Sequence, residues 1–347
     1  MRLMKGHTDM VVCCAESRHD PFTVATGSED SSVRLWDLRT LKSTRRLTCP
    51  DPVAAVSEGI HGQEWLIASG NRLIRFDLRM TDKVLVNEHS TLYEASDDIG
   101  DLDVNLCSSS LDDATSELRE QLAGLSISSG AKNDSRIALA DDLGFVSVLD
   151  GSDQVVSRLQ CTSKTIVSAV RFVSSDLCIS GGFDNALVFS SSVKGSILAR
   201  FPITPSLASV NPPHVHSIDV SRRLHSESGL VACAVGDGSL VVADTSPARR
   251  KNGGYNWGKL GESLNRMENV HSAATSCVRF INLEMIASCG NDKTMAVTKR
   301  TSTGKLSVQH RIGLRDKPNA LCFPQALTGQ VIVCDVGNDV QVVRYEG

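Results

Sequence analysis

The chain has no excess of basic residues. Its 36 Lys and Arg face 40 Asp and Glu, for a net charge of -4 and a pI near 6.1. Proteins that bind nucleic acid or anionic membranes broadly usually carry a basic face, so neither partner is expected. No run approaches the roughly 18 apolar residues of a membrane span. The opening Met1-Arg2-Leu3-Met4-Lys5-Gly6-His7 has no apolar segment or cleavage site of a secretory leader. An intracellular protein of the nucleus, the cytoplasm or both is the expectation.

Catalytic and metal-binding patterns are missing too. No G-x-S-x-G or H-E-x-x-H occurs. Gly253-x4-Gly258-Lys259 resembles a phosphate-binding loop, but Leu260 stands where Ser or Thr must reach magnesium, and no strand leads directly into the loop. His214 and His216 share a strand face without a third ligand, so no zinc site is expected. The eleven cysteines are scattered, none in a C-x-x-C pair. Most sit in apolar runs such as Val331-Ile332-Val333-Cys334, where the thiol acts as a small core group. No enzyme, cofactor or metal is expected.

What the chain does have is repetition. Seven times an apolar run and a small-residue patch lead into a turn of Gly, Asp or Asn and a second apolar run. The clearest copy is Thr23 to Asp37, and the second is Leu66 to Asp77. Later copies run Ile137 to Asp150, Leu177 to Ser190, Leu230 to Asp244, Met285 to Thr298 and Gln330 to Arg344. The turns centre on Asp30, Asn71, Asp142, Asp184, Asp237, Asp292 and Asn338, at intervals of 41, 71, 42, 53, 55 and 46 residues.

Gly6-His7, followed by Trp36-Asp37, resembles the signature of WD40 repeats, whose blades span roughly 40–45 residues. The resemblance implies an all-β fold: a single seven-bladed WD40-type β-propeller over residues 1–347. It also implies a blade lock in which His7, a turn Asp and Trp36 share hydrogen bonds. His89, His216 and His271 are weaker echoes of that histidine. The Trp36 place is taken elsewhere by Phe76, Leu149, Phe189, Ala243, Thr298 and Arg344, so only blade one is expected to hold the full lock. The seventh unit ends on Val340-Gln341-Val342-Val343-Arg344, a third strand without a fourth. Residues 1–5 are expected to supply that fourth strand and close the ring.

Two insertions stand out. An acidic one, at about 94–134, opens with nine Asp and Glu between Glu94 and Glu120 against Arg119 alone. Leu111, Leu118, Leu122 and Leu125 there fit one helical face, which reads either as a partner-docking helix or as a solvated loop. The other, at about 247–266, is basic and Gly-rich, with Arg249, Arg250, Lys251, Tyr255 and Trp257. It reads as a contact for an acidic peptide or RNA, or as a plain loop.

Finally, Trp36-Asp37-Leu38-Arg39 resembles the WDxR box, and Phe76-Asp77-Leu78-Arg79 repeats it one blade later. In that family the box marks substrate receptors of cullin-4 RING ubiquitin ligases, and its arginines dock the large damage-specific DNA-binding adaptor subunit. The resemblance implies an adaptor-binding surface at Trp36, Asp37, Arg39, Phe76, Asp77 and Arg79, a cullin-4 complex as partner, and a protein substrate that the sequence does not name. Two other readings stay open: Arg39 and Arg79 pair only with Asp37 and Asp77 on the surface, or the protein is a scaffold or peptide reader with no ligase.

Overall fold

The computed structural model describes residues 2–60, 63–105, 135–162, 165–207, 209–222, 229–246, 250 and 255–345. Each apolar run forms a short strand of mostly β-branched and small residues. Blade one comprises β2 (Val11–Glu16), β3 (Thr23–Ser28), β4 (Ser32–Asp37) and β5 (Lys42–Thr48). Blade two comprises β6 (Val53–Glu58), β7 (Glu64–Ser69), β8 (Arg72–Asp77) and β10 (Ser90–Glu94). Between them β9 (Leu85–Val86) adds a parallel fifth strand to the outer edge of blade one.

Blade three is β11 (Ile99–Asn105), β12 (Arg136–Asp141), β13 (Phe145–Asp150) and β14 (Val155–Gln160). Blade four is β15 (Val167–Phe172), β16 (Leu177–Gly182), β17 (Ala186–Ser191) and β18 (Ser196–Pro202). Blade five is β19 (Val215–Arg222), β20 (Gly229–Val235), β21 (Leu240–Asp244) and β22 (Asn265–Met267). Blade six is β23 (Thr275–Phe280), β24 (Met285–Gly290), β25 (Thr294–Arg300) and β26 (Leu306–Gly313).

Blade seven takes β27 (Pro318–Cys322), β28 (Gln330–Asp335) and β29 (Asp339–Arg344) from the end of the chain and β1 (Arg2–Lys5) from its beginning. Arg2 lies opposite Val342 and Lys5 opposite Asp339, with Met4 fully buried. Each inner strand abuts the next, and β27 abuts β2, so the blades form a closed ring. This is a seven-bladed β-propeller, closed as the sequence suggested.

The core lies between blades rather than at the centre. Seven apolar clusters fill the seven interfaces, one per neighbouring pair. Trp36 joins Met4, Val340 and Val342 where blade one meets blade seven. Cysteines behave as small core groups: all ten that are described are free, and nine are buried. Burial pushes the Cys161 thiol up to about 11, which keeps it protonated.

Both expected insertions are shorter than their sequence boundaries. Residues 99–105 form β11, the inner strand of blade three, and not a loop. Asp101 Oδ2 accepts the Val170 N–H at 2.9 Å, and Asp103 Oδ2 accepts the Phe172 N–H at 2.8 Å. These carboxylates tie blade three to the inner strand of blade four, a use of acidic residues that charge counting cannot separate from solvation. The leucine pattern from Leu111 to Leu125 lies outside the described residues.

In the second segment, residues 257–262 form a helical turn, α1 (Trp257–Glu262), and residues 265–267 form β22. Trp257 packs 5.7 Å from Phe189, Tyr255 stacks on Trp257 at 5.2 Å, and Leu260 is fully buried. The aromatics of the expected acidic-peptide or RNA contact pack instead on the interface of blades four and five, because burial of a large apolar ring outweighs exposure.

Candidate functional site

The blade-one lock forms as a relay. The Trp36 indole N–H donates to Thr26 Oγ1 at 2.8 Å, and Thr26 Oγ1 lies 2.8 Å from His7 Nε2. His7 Nδ1 reaches Asp30 Oδ2 at 3.1 Å. Burial lowers the His7 pKa, so the ring is neutral. A neutral ring protonated on Nδ1 fits both contacts, donating to Asp30 and accepting from Thr26. Against the upward push of its own burial, hydrogen bonds from Ser32, Thr8 N–H and His7 hold Asp30 down to about 2.

A second lock exists that the sequence reading assigned to blade one alone. In blade six, His271 Nδ1 lies 3.1 Å from Asp292 Oδ1 and Nε2 lies 3.0 Å from Ser288 Oγ. Thr298 replaces the tryptophan there, so the relay survives without its aromatic end. The signal was available, since His271 precedes Asp292 much as His7 precedes Asp30. The other two echoes play different parts. His89 packs on Phe76 at 5.4 Å, and His216 stands edge-on to Phe183, on which His214 stacks. Among the described residues no three His, Cys, Asp or Glu side chains converge on a metal-sized site.

The two boxes fold alike. The Asp37 carboxylate accepts the Arg39 backbone N–H at 2.9 Å, and its two oxygens accept Nε and Nη2 at 3.0 Å each. Asp77 accepts the Arg79 backbone N–H at 3.0 Å, Nε at 2.9 Å and Nη2 at 2.6 Å. The bidentate Arg39 contact holds the Asp37 carboxyl below its ordinary range. Both guanidiniums are nevertheless open to solvent, Arg39 at 63% and Arg79 at 50%. Arg39 also lies over the Phe22 ring, 5.0 Å from its centroid.

Trp36 and Phe76 are wholly buried between blades and present nothing to a partner. The box side chains that reach solvent are Asp37, Arg39, Asp77 and Arg79. Asp37 pairs with the first residue of β3 and Asp77 with the first residue of β7. Equivalent register positions on successive blades of a propeller fall on the same face of the disc.

Strands alternate in direction, so the first and third strands of a blade end on one face. The end of β4, with Asp37, therefore shares its face with the end of β2, at Glu16. On that face the central channel widens to a cavity of about 660 Å³, lined by Glu16, Arg18, Glu58, Asp103, Arg171 and Arg279, among others. Burial pushes the Glu16 carboxyl up to about 7. Arg171 pairs with Asp101 at 2.5 Å. At the other end lies a smaller opening of about 270 Å³, lined by Met10, Glu29, His216, Asn291 and Asn319, among others.

Comparison with known proteins agrees with this geometry. Residues 1–37, which span β1 through β4, match the family described as WD domain, G-beta repeat. A WD repeat-containing protein 53 homolog of Dictyostelium discoideum is 22% identical over 98% of this chain and 93% of its own length. Human THO complex subunit 6 is 46% identical over 46 residues, 13% of each chain. Among solved structures, the WD40 β-propeller domain of Doa1 superposes with a TM-score of 0.69 at 16% identity, over 99% of this chain and 96% of that one. No helix among the described residues is long and apolar enough to cross a membrane.

Proposed function

We propose that this propeller is a protein-interaction scaffold that serves as a substrate receptor of a cullin-4 RING ubiquitin ligase. In this reading Arg39 and Arg79 dock the large damage-specific DNA-binding adaptor subunit. The observation that carries the reading is the duplicated Asp–Arg fork, built with the same contacts on two successive blades and exposed on one face. A guanidinium held flat by its own aspartate loses little freedom on binding and keeps a donor, Nη1, for a partner carbonyl or carboxylate. The wide end of the channel opens on this same face, and the smaller opening faces away from a docked adaptor and is free for substrate.

A second reading is a scaffold without a ligase. It is favoured by the fact that each arginine is already paired, since a surface pair of this kind needs no partner to explain it. Affinity purification of the chain from cell extract separates the two. Recovery of the adaptor together with the cullin supports the receptor, whereas a stable set of partners lacking both supports the plain scaffold.

A further inference from the structure

Arg34 and Arg46 lie directly opposite each other on β4 and β5. Arg34 shares a strand face with Trp36, which packs against blade seven, so the pair lies beside the seam where the ring closes. The Arg34 guanidinium rests against Gly6, where an added Cβ would sit 3.0 Å from its Cζ. The Nε atoms of both arginines are enclosed by protein and have no hydrogen-bond partner among the described residues. The Arg34 Nη1 makes one long contact, 3.4 Å to Ser43 Oγ.

Like charges opposite one another on neighbouring strands destabilise a sheet, and arginine does not escape by losing its proton. The partly buried Arg75, Arg171, Arg266 and Arg300 each have a carboxylate: Glu64, Asp101, Asp237 and Asp244 respectively. Arg34 and Arg46 make no ion pair among the described residues. The Asp30 carboxylate, whose field reaches Arg34, is already engaged by His7, Thr8 and Ser32. Lys5, the residue before Gly6, is exposed at the end of β1 and adds no acid to the seam.

We propose that this seam, at Gly6, Arg34 and Arg46, binds a phosphate monoester. The match is one of charge and of geometry. Two permanent positive charges match a dianion, and the Nη donors of two guanidiniums match its acceptor oxygens. A single carboxylate would leave one guanidinium unbalanced. Neither the ligase reading nor the plain-scaffold reading is needed for this site, which lies outside both boxes and both channel openings.

The test is the melting temperature of the full chain, titrated with inorganic phosphate and, separately, with capped phosphoserine. Ionic strength is held constant with chloride. A ligand that binds only the folded state raises the melting temperature steadily with its logarithm above saturation. Wild type is expected to show that rise, and the Arg34→Gln, Arg46→Gln double variant is expected to show none. The ligand that half-saturates at lower concentration identifies the source, free phosphate or a phosphorylated side chain. Arg46→Glu supplies a carboxylate internally; it should melt at or above wild type without ligand and no longer respond to phosphate. A wild-type response no larger than that to chloride, or an equal response in the Gln double variant or in Arg46→Glu, overturns the proposal.

Discussion

His7, just before blade one, and Trp36, in its third strand, meet on a single hydroxyl: His7 Nε2 and the Trp36 indole nitrogen each lie 2.8 Å from Thr26 Oγ1. The indole donates to that oxygen, and the hydroxyl proton is left for the imidazole. Because His7 directly follows the strand that closes the ring, the relay ties the closure to blade one. Loss of any member strands a buried polar atom.

Trp36→Ala removes the largest side chain in the blade-one and blade-seven interface and leaves Thr26 without its donor. A loss of about 3–5 kcal/mol in unfolding free energy is expected, measured by denaturant titration. A variant as stable as wild type would show that the interface does not depend on this ring.

Burial lowers the pKa values of His7 and His271 from the ordinary 6.5. The unfolded chain therefore takes up protons near pH 6.5 that the folded chain refuses, so stability rises with pH in this window and falls below it. Asp30 acts lower, its contribution being lost as pH falls from 3.8 towards about 2. The melting temperature of wild type should drop on acidification from about pH 7.5 to pH 5, and His271→Gln should drop less steeply. Equal slopes for the two proteins would mean that His271 titrates normally in the fold.

Asp101→Ala takes away the acceptor of the Val170 N–H and the partner of Arg171. It should destabilise the domain by about 1–3 kcal/mol in the same titration. No change would place this residue among solvated surface acids after all.

Deletion of residues 1–5 exposes the edge of β29 and empties the Met4 site. The truncated chain is expected to melt well below wild type and to aggregate on warming, followed by light scattering. A truncated chain with wild-type melting would show that the ring closes without its first strand.

The ring and its closure were legible because the repeat marks itself in every blade, through turn residues after small-residue strands and an unpaired last strand. Trp36 and Phe76 were harder to place. A box motif names contiguous residues, yet strand alternation buries these two while Asp37 and Asp77 end their strands at the surface. Asp101 and Asp103 were read as loop acids because their partners, the backbone N–H groups of Val170 and Phe172, lie nearly 70 residues away. The bare charge of Arg34 and Arg46 was likewise invisible, since an unpaired arginine differs from a paired one only in three dimensions.

The ligase reading rests on Arg39 and Arg79, and binding of purified adaptor by calorimetry tests it most directly. Hydrogen bonds from a charged donor contribute about 1.5–3 kcal/mol each, so Arg39→Ala, Arg79→Ala should bind about tenfold or more weakly than wild type. Neither guanidinium supports the core, and the double variant should melt like wild type. Equal affinity in a double variant that melts normally would contradict the account, as would a wild-type chain that binds no adaptor.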